Sequence, residues 1–162
     1  MRFLVDAMLG NLARWLRIFG YDTIFANDIT KPGEPGATDP ELAEYATEND
    51  RILITHDKEF ARRFAGSIFV PGTDLLENLK TVQAALGIKL YFDQDQARCT
   101  DCNSELLRIG DKGEIQELVP PKTFARYDNF WICTNLACRK VYWQGSHFKD
   151  IHAVEEELLK NE

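Results

Sequence analysis

No apolar run in this sequence approaches the roughly eighteen residues that a membrane-spanning helix requires. The opening MRFLVDAMLG meets a charge directly after its first apolar run and has no small-residue cleavage site. It reads as a strand entering a helix rather than as a signal peptide, which points to a cytoplasmic chain with no membrane partner. Internal repeats and low-complexity segments are absent. Basic charge is also in short supply: 19 Lys and Arg stand against 26 Asp and Glu, a net charge of -7. That balance argues against nucleic-acid binding through an overall positive potential. It does not exclude a nuclease, because a magnesium site must concentrate carboxylates and a few local arginines can contact phosphate. Part of the acidic excess has a plain source in Glu155, Glu156, Glu157 and Glu162, a solvated helix end. Cysteine is scarce too, and four of them in an intracellular chain read as metal ligands rather than disulfides.

What is present suffices for a globular protein: 162 residues, 44% of them hydrophobic, fit a compact domain plus a small metal-stapled module. Arg2 to Asp6 reads as a buried strand ending in a carboxylate. Leu9, Leu12, Ala13, Leu16 and Phe19 follow at helical spacing until Gly20. Asp22 to Ala26 is a second strand, and a Pro- and Gly-rich loop follows it. Asp39-Pro40 opens a helix with Asp39 as N-cap, and Arg51 to Thr55 is a third strand. A short helix over Lys58 to Phe64, a strand over Ser67 to Val70 and a helix over Asp74 to Leu86 complete an alternating pattern. Such alternation, with continuous apolar strands, predicts an α/β fold: a parallel sheet with helices on both faces. The texture then changes, giving an organisation of 1-90 for this domain, 95-148 for a small β module, and 149-162 for a C-terminal helix and tail.

Ligands of open parallel sheets bind outside the carboxyl ends of the strands. Asp6 ends the first strand, Asp57 follows the third, and Asp39 starts the helix before it; Asp74, after the fourth, is a further candidate. Gathered carboxylates repel one another and are stable at neutral pH chiefly around a cation, for which Mg2+ or Mn2+ is suited. Asp39, Asp57 and Asp74 also read as helix caps, whereas Asp6, directly after FLV, is a charge at a buried strand end that needs a partner. A phospho-receiver domain shares this architecture, but it wants an adjacent acidic pair, and here Asp6 is followed by Ala7 and Met8.

Cys99 and Cys102 (CTDC) and Cys133 and Cys138 (CTNLAC) can converge as four thiolates on one Zn2+, a closed and therefore structural site. Asn11, Arg14 and Arg17 on the first helix, His56 beside Asp57, and Arg139, Lys140 and His147 in the module are candidates for RNA contact, with Arg62 and Arg63 further basic options. Each also reads as a solvated or packing residue. Trp131, Tyr142 and Trp143 can stack on bases or form the core of the module.

FLVDAMLGNLARWLRIFGYDT, RILITHD, and a C-x2-C-N knuckle with VYWQGSH together resemble the Mut-seven C-terminal RNase domain family, over nearly the whole chain. The resemblance implies a PIN-like nuclease fold carrying a zinc ribbon. It also implies metal-dependent RNA cleavage, with Asp6, Asp39 and Asp57 at the matching acidic positions. Two features depart from that pattern: the second cysteine pair is C-x4-C rather than C-x2-C, and His56 stands where Arg is expected. The expectation is a metal-dependent endoribonuclease in which a divalent ion activates water for in-line attack; the alternative is a non-catalytic RNA- or protein-binding module using the ribbon.

Overall fold

The computed structural model describes residues 1-72 and 74-160; Glu162 of the acidic tail lies outside them. Strands β1 (Arg2–Val5), β2 (Asp22–Phe25), β3 (Ile52–Thr55) and β4 (Ser67–Phe69) form one parallel sheet in the order β2-β1-β3-β4. The helices are α1 (Gly10–Ile18), α2 (Asp39–Glu48), α3 (Lys58–Arg63), α4 (Leu75–Leu86), α5 (Pro121–Arg126) and α6 (His147–Leu159). Strand side chains alternate between faces. Phe3, Val5 and Ile54 therefore enter a core built with α1, α4 and α6, while Leu4 and Leu53 enter a second core under α2 and α3. Both faces being covered is why the strands read as unbroken apolar runs. Among the described residues, no helix is long and apolar enough to cross a membrane.

Each of the first four helices follows a strand of the sheet, so their N-termini collect at its carboxyl edge. The chain leaves β1 through a short 3-10 turn (Ala7–Leu9) before α1, which ends at Gly20 in a left-handed turn with φ +87°. The element boundaries expected from the sequence fall within one residue of those observed, with two departures. The small module contains helical segments (Lys112–Leu118 and α5) beside its strands, with Pro121 suited to a first turn. In addition, α6 starts at His147 rather than Lys149.

The module itself is an antiparallel sheet of β5 (Leu106–Arg108), β6 (Phe130–Cys133) and β7 (Val141–Trp143), packed around Ile115, Val119, Phe130 and Val141. It covers β2, which would otherwise expose an unpaired strand edge. The Thr23 amide donates to Oδ1 of Asn103 at 2.9 Å, and the Thr23 carbonyl accepts Nε of Arg17 at 2.9 Å. Leu158 of α6 then returns to the core of the first face, where it is 2% exposed.

Candidate functional site

Asp6 follows β1 and Asp57 follows His56 after β3, its immediate neighbour, so the two acids leave the sheet side by side at the carboxyl edge. A buried hydroxyl joins them. Thr55 donates Oγ1 to Oδ2 of Asp6 at 2.8 Å and accepts the Asp57 amide at 3.0 Å. The second oxygen of Asp6 accepts the Ala7 amide, and Oδ1 of Asp57 caps α3 by accepting the Phe60 amide at 2.9 Å. Capping leaves lone pairs for a ligand, since a carboxylate has about four acceptor sites.

The expectation that Asp39 caps α2 is corrected. Thr38 is the N-cap, in a capping box with Glu41, whose carboxylate accepts the Thr38 amide at 2.7 Å. Asp39 sits one position inside, and its side chain pairs with Arg63 at 3.2 Å. Asp74 caps α4 through the Glu77 amide at 2.8 Å. The three aspartates are not gathered as tightly as the cysteines, which among the described residues are the one group of three or more ligand atoms all within 4.8 Å of one another. The donor chemistry at Asp6 and Asp57 still fits a hard divalent ion: solvent-accessible carboxylate oxygens, with no cation paired to either among the described residues.

Beside this edge lies a cavity of about 140 Å³ between the starts of α1 and α4, lined by Asn11, His56, Gly72 and Asn78 among others. The His56 ring is held by a 2.8 Å contact of Nδ1 with the Val70 carbonyl. Asn78 is 3% exposed, and its Oδ1 has no hydrogen-bond partner. An unpaired buried acceptor is costly, and its place on this cavity wall makes Asn78 a further candidate site residue that the sequence reading missed. The signal was there: Asn78 occupies a position in the Leu75, Leu79, Val82 stripe that should be apolar. Thr55, closing an otherwise apolar buried strand, was a comparable signal.

The four cysteines do converge. The sulfurs of Cys99 and Cys138 lie 3.7 Å apart and those of Cys102 and Cys133 lie 3.3 Å apart. Zinc–sulfur bonds of about 2.3 Å in a tetrahedron give sulfur spacings near these, so the set fits one zinc with no open position. Burial pushes the Cys133 and Cys138 thiols up, whereas Cys102 is drawn down, against its burial, by bonds from Ser104. A dication relieves that conflict. The longer C-x4-C loop keeps the knuckle turn: the Arg139 amide reaches back to the Asn135 carbonyl as the Asn103 amide does to Cys99, each at 2.9 Å. Both residues adopt left-handed φ, and Cys133 contributes from the end of β6.

The remaining candidates divide. Asn11 and His56 line the cavity between the starts of α1 and α4, His56 directly preceding Asp57 in the chain. Arg14, Lys140 and His147 line a second cavity, between α1 and the module. Arg139 is exposed on the second knuckle. Arg17, expected to face RNA, is instead 3% exposed and turned inward. It donates Nη1 to the Thr100 carbonyl at 2.9 Å and Nη2 to Asp28 at 2.9 Å, so it clamps the module to α1. Trp131 is likewise buried, with its indole N–H donating to Asp95 at 2.8 Å.

A family model described as Mut7-C RNAse domain matches residues 1–154. No curated protein and no solved structure matches the chain.

Proposed function

Because the chain belongs to the Mut7-C RNAse domain family, we propose that it is a metal-dependent endoribonuclease that cleaves RNA at the carboxyl edge of its parallel sheet. The observation that carries this reading is the coupling of Asp6 and Asp57 through Thr55. Two carboxylates from adjacent strands are fixed by one buried hydroxyl, and no cation is paired to either among the described residues. Asp6 and Asp57 would hold Mg2+ or Mn2+, with Asp39 joining from α2 and Asp74 standing at the start of α4. A divalent ion bound there supplies Lewis acidity toward water and offsets charge on the phosphoryl oxygens. Asn11 and His56 border the scissile phosphate, and the fixed tilt of the His56 ring presents its outer nitrogen to the substrate. The zinc of the ribbon is structural, and the ribbon positions the strand.

The test is RNA cleavage by purified protein dialysed free of added divalent ions, then supplied with Mg2+ or Mn2+. Cleavage is expected only with the ion, and Asp6→Asn and Asp57→Asn should each abolish it while the fold persists. Wild-type rates in both variants would remove this site from the reaction. One observation favours a second reading, a non-catalytic RNA-binding module: Arg63 already neutralises Asp39. RNA binding without cleavage under any divalent ion would select it.

A further inference from the structure

We propose that the cavity between α1 and the zinc-bearing module is a nucleotide subsite, taking one splayed-out base of an RNA strand with an adjoining phosphate at its rim. That the strand is RNA rests on the ribonuclease reading; the cavity's own chemistry asks only for a nucleoside phosphate. The cavity holds about 340 Å³, within the range of small-ligand pockets. Tyr142, Trp143 and Phe148 give it aromatic walls, and Ile18 adds an aliphatic one. Its charge is opposite to that of the chain. The sequence has 26 acids and 19 bases, yet no carboxylate lines this cavity, whereas Arg14, Arg98, Lys140 and His147 do, Arg98 and Lys140 being paired with Glu105 and Asp101 outside it. Arg14 and His147 are left as the unpaired basic groups at the wall of an apolar, aromatic hollow, among the described residues.

Two of these groups, Arg14 and His147, are also available. Arg14 is exposed on α1, with no hydrogen bond or ion pair among the described residues. The nearby acid, Asp101, is already engaged by Lys140 at 2.8 Å. Tyr142 is held in place, its hydroxyl accepting the Thr100 amide at 3.0 Å and lying 3.2 Å from Sγ of Cys99, so its ring is a fixed wall. A Cβ at Gly145 would lie 2.9 Å from Nε1 of Trp143 and 3.9 Å from Nε2 of His147. Glycine there leaves room for the indole and imidazole nitrogens, which both line the cavity and have no partner among the described residues. Aromatic walls, a few unpaired polar groups and a cationic rim are how single-stranded RNA bases are bound. Arg14 stands three residues along α1 from Asn11, a rise of about 4.5 Å. A strand lying across this helix therefore meets both the cavity lined by Asn11 and His56 and the base cavity.

The experiment is a fluorescence titration of the full chain with a short single-stranded oligoribonucleotide carrying 2-aminopurine, without added divalent ion. Stacking in the cavity should quench the probe. Arg14→Ala and His147→Ala, both at exposed positions, should each weaken binding about tenfold, the scale of one lost charge-assisted contact, and reduce the quench. Unchanged affinity and quench in both variants, with zinc content and fold intact, would overturn the subsite. The two readings fail separately. Cleavage that persists with unchanged binding in these variants removes the subsite alone, whereas quenching without cleavage under any ion keeps the subsite and removes the nuclease.

Discussion

The Thr55 hydroxyl points along the sheet to Asp6, donating to Oδ2 at 2.8 Å. β1 and β3 pair with Val5 opposite Ile54, so Asp6 and Thr55 occupy the next rung, where the sheet opens to solvent. Thr55 is itself fully buried, and its second bond, from the Asp57 amide, means that one side chain sets the exit of both strands.

Replacing it tests that coupling. Thr55→Val keeps the shape but leaves a carboxylate oxygen and an amide without their partner. A stability loss of about 1–3 kcal/mol is expected from one such lost bond, visible in thermal unfolding. Metal-stimulated RNA cleavage should fall with it, and Thr55→Ser should restore both. A valine variant cleaving at the wild-type rate would show that the hydroxyl does not orient the acids.

Arg63→Ala releases Asp39. The pair is exposed, with side chains 68% and 44% accessible, so little stability is at stake. If Asp39 is a ligand, Mn2+ affinity should rise several-fold in a direct titration, as one anionic donor is freed. Unchanged affinity would take Asp39 out of the ligand set.

Elemental analysis should find close to one zinc per chain. Cys133→Ser should lose it and open the module to protease, because its own core is only a few residues. A protease-resistant module without zinc, or a mapped disulfide, would end the zinc assignment.

Arg17→Met should act on stability, not on RNA. Removing this buried guanidinium strips bonds from the Thr23 and Thr100 carbonyls and leaves Asp28 unpaired, a cost on the order of 3 kcal/mol. At temperatures where the variant is folded, its RNA affinity should match wild type, in contrast to Arg14→Ala. A normal melting temperature with weakened RNA binding would reverse this assignment.

Asp22 gives a pH signature. Burial alone would raise its pKa, but bonds from Arg51 and Asn103 outweigh burial and hold it at about 2, below the ordinary 3.8. A lowered folded-state value means stability that is present above the unfolded value and lost as pH falls through the folded one. The melting-temperature gap between wild type and Asp22→Asn should therefore shrink as pH is lowered from about 4 to about 2. A gap constant over that window would mean that the carboxylate is not what Arg51 and Asn103 stabilise.

The sheet, its helices and the convergence of the four cysteines were legible in the chain because each is a local pattern. Unbroken apolar strands, helical stripes such as Leu9, Leu12, Ala13 and Leu16, and two cysteine pairs report burial or ligation through spacing alone. Asp6 was legible for a related reason, as a charge placed directly after a buried strand. The roles of similar residues on one element were not. Arg14 and Arg17 share α1, yet Arg14 lines a cavity while Arg17 is buried against Thr100, 83 residues away in sequence. Trp131 and Trp143 lie on neighbouring strands, but Asp95 claims the indole N–H of the first only. Asp39 was freed from capping by Thr38 and then taken by Arg63 of another helix. Periodicity tells which face of an element is apolar; which charged group is covered, paired or left free depends on the segment that packs across it, and only the tertiary structure brings that segment there.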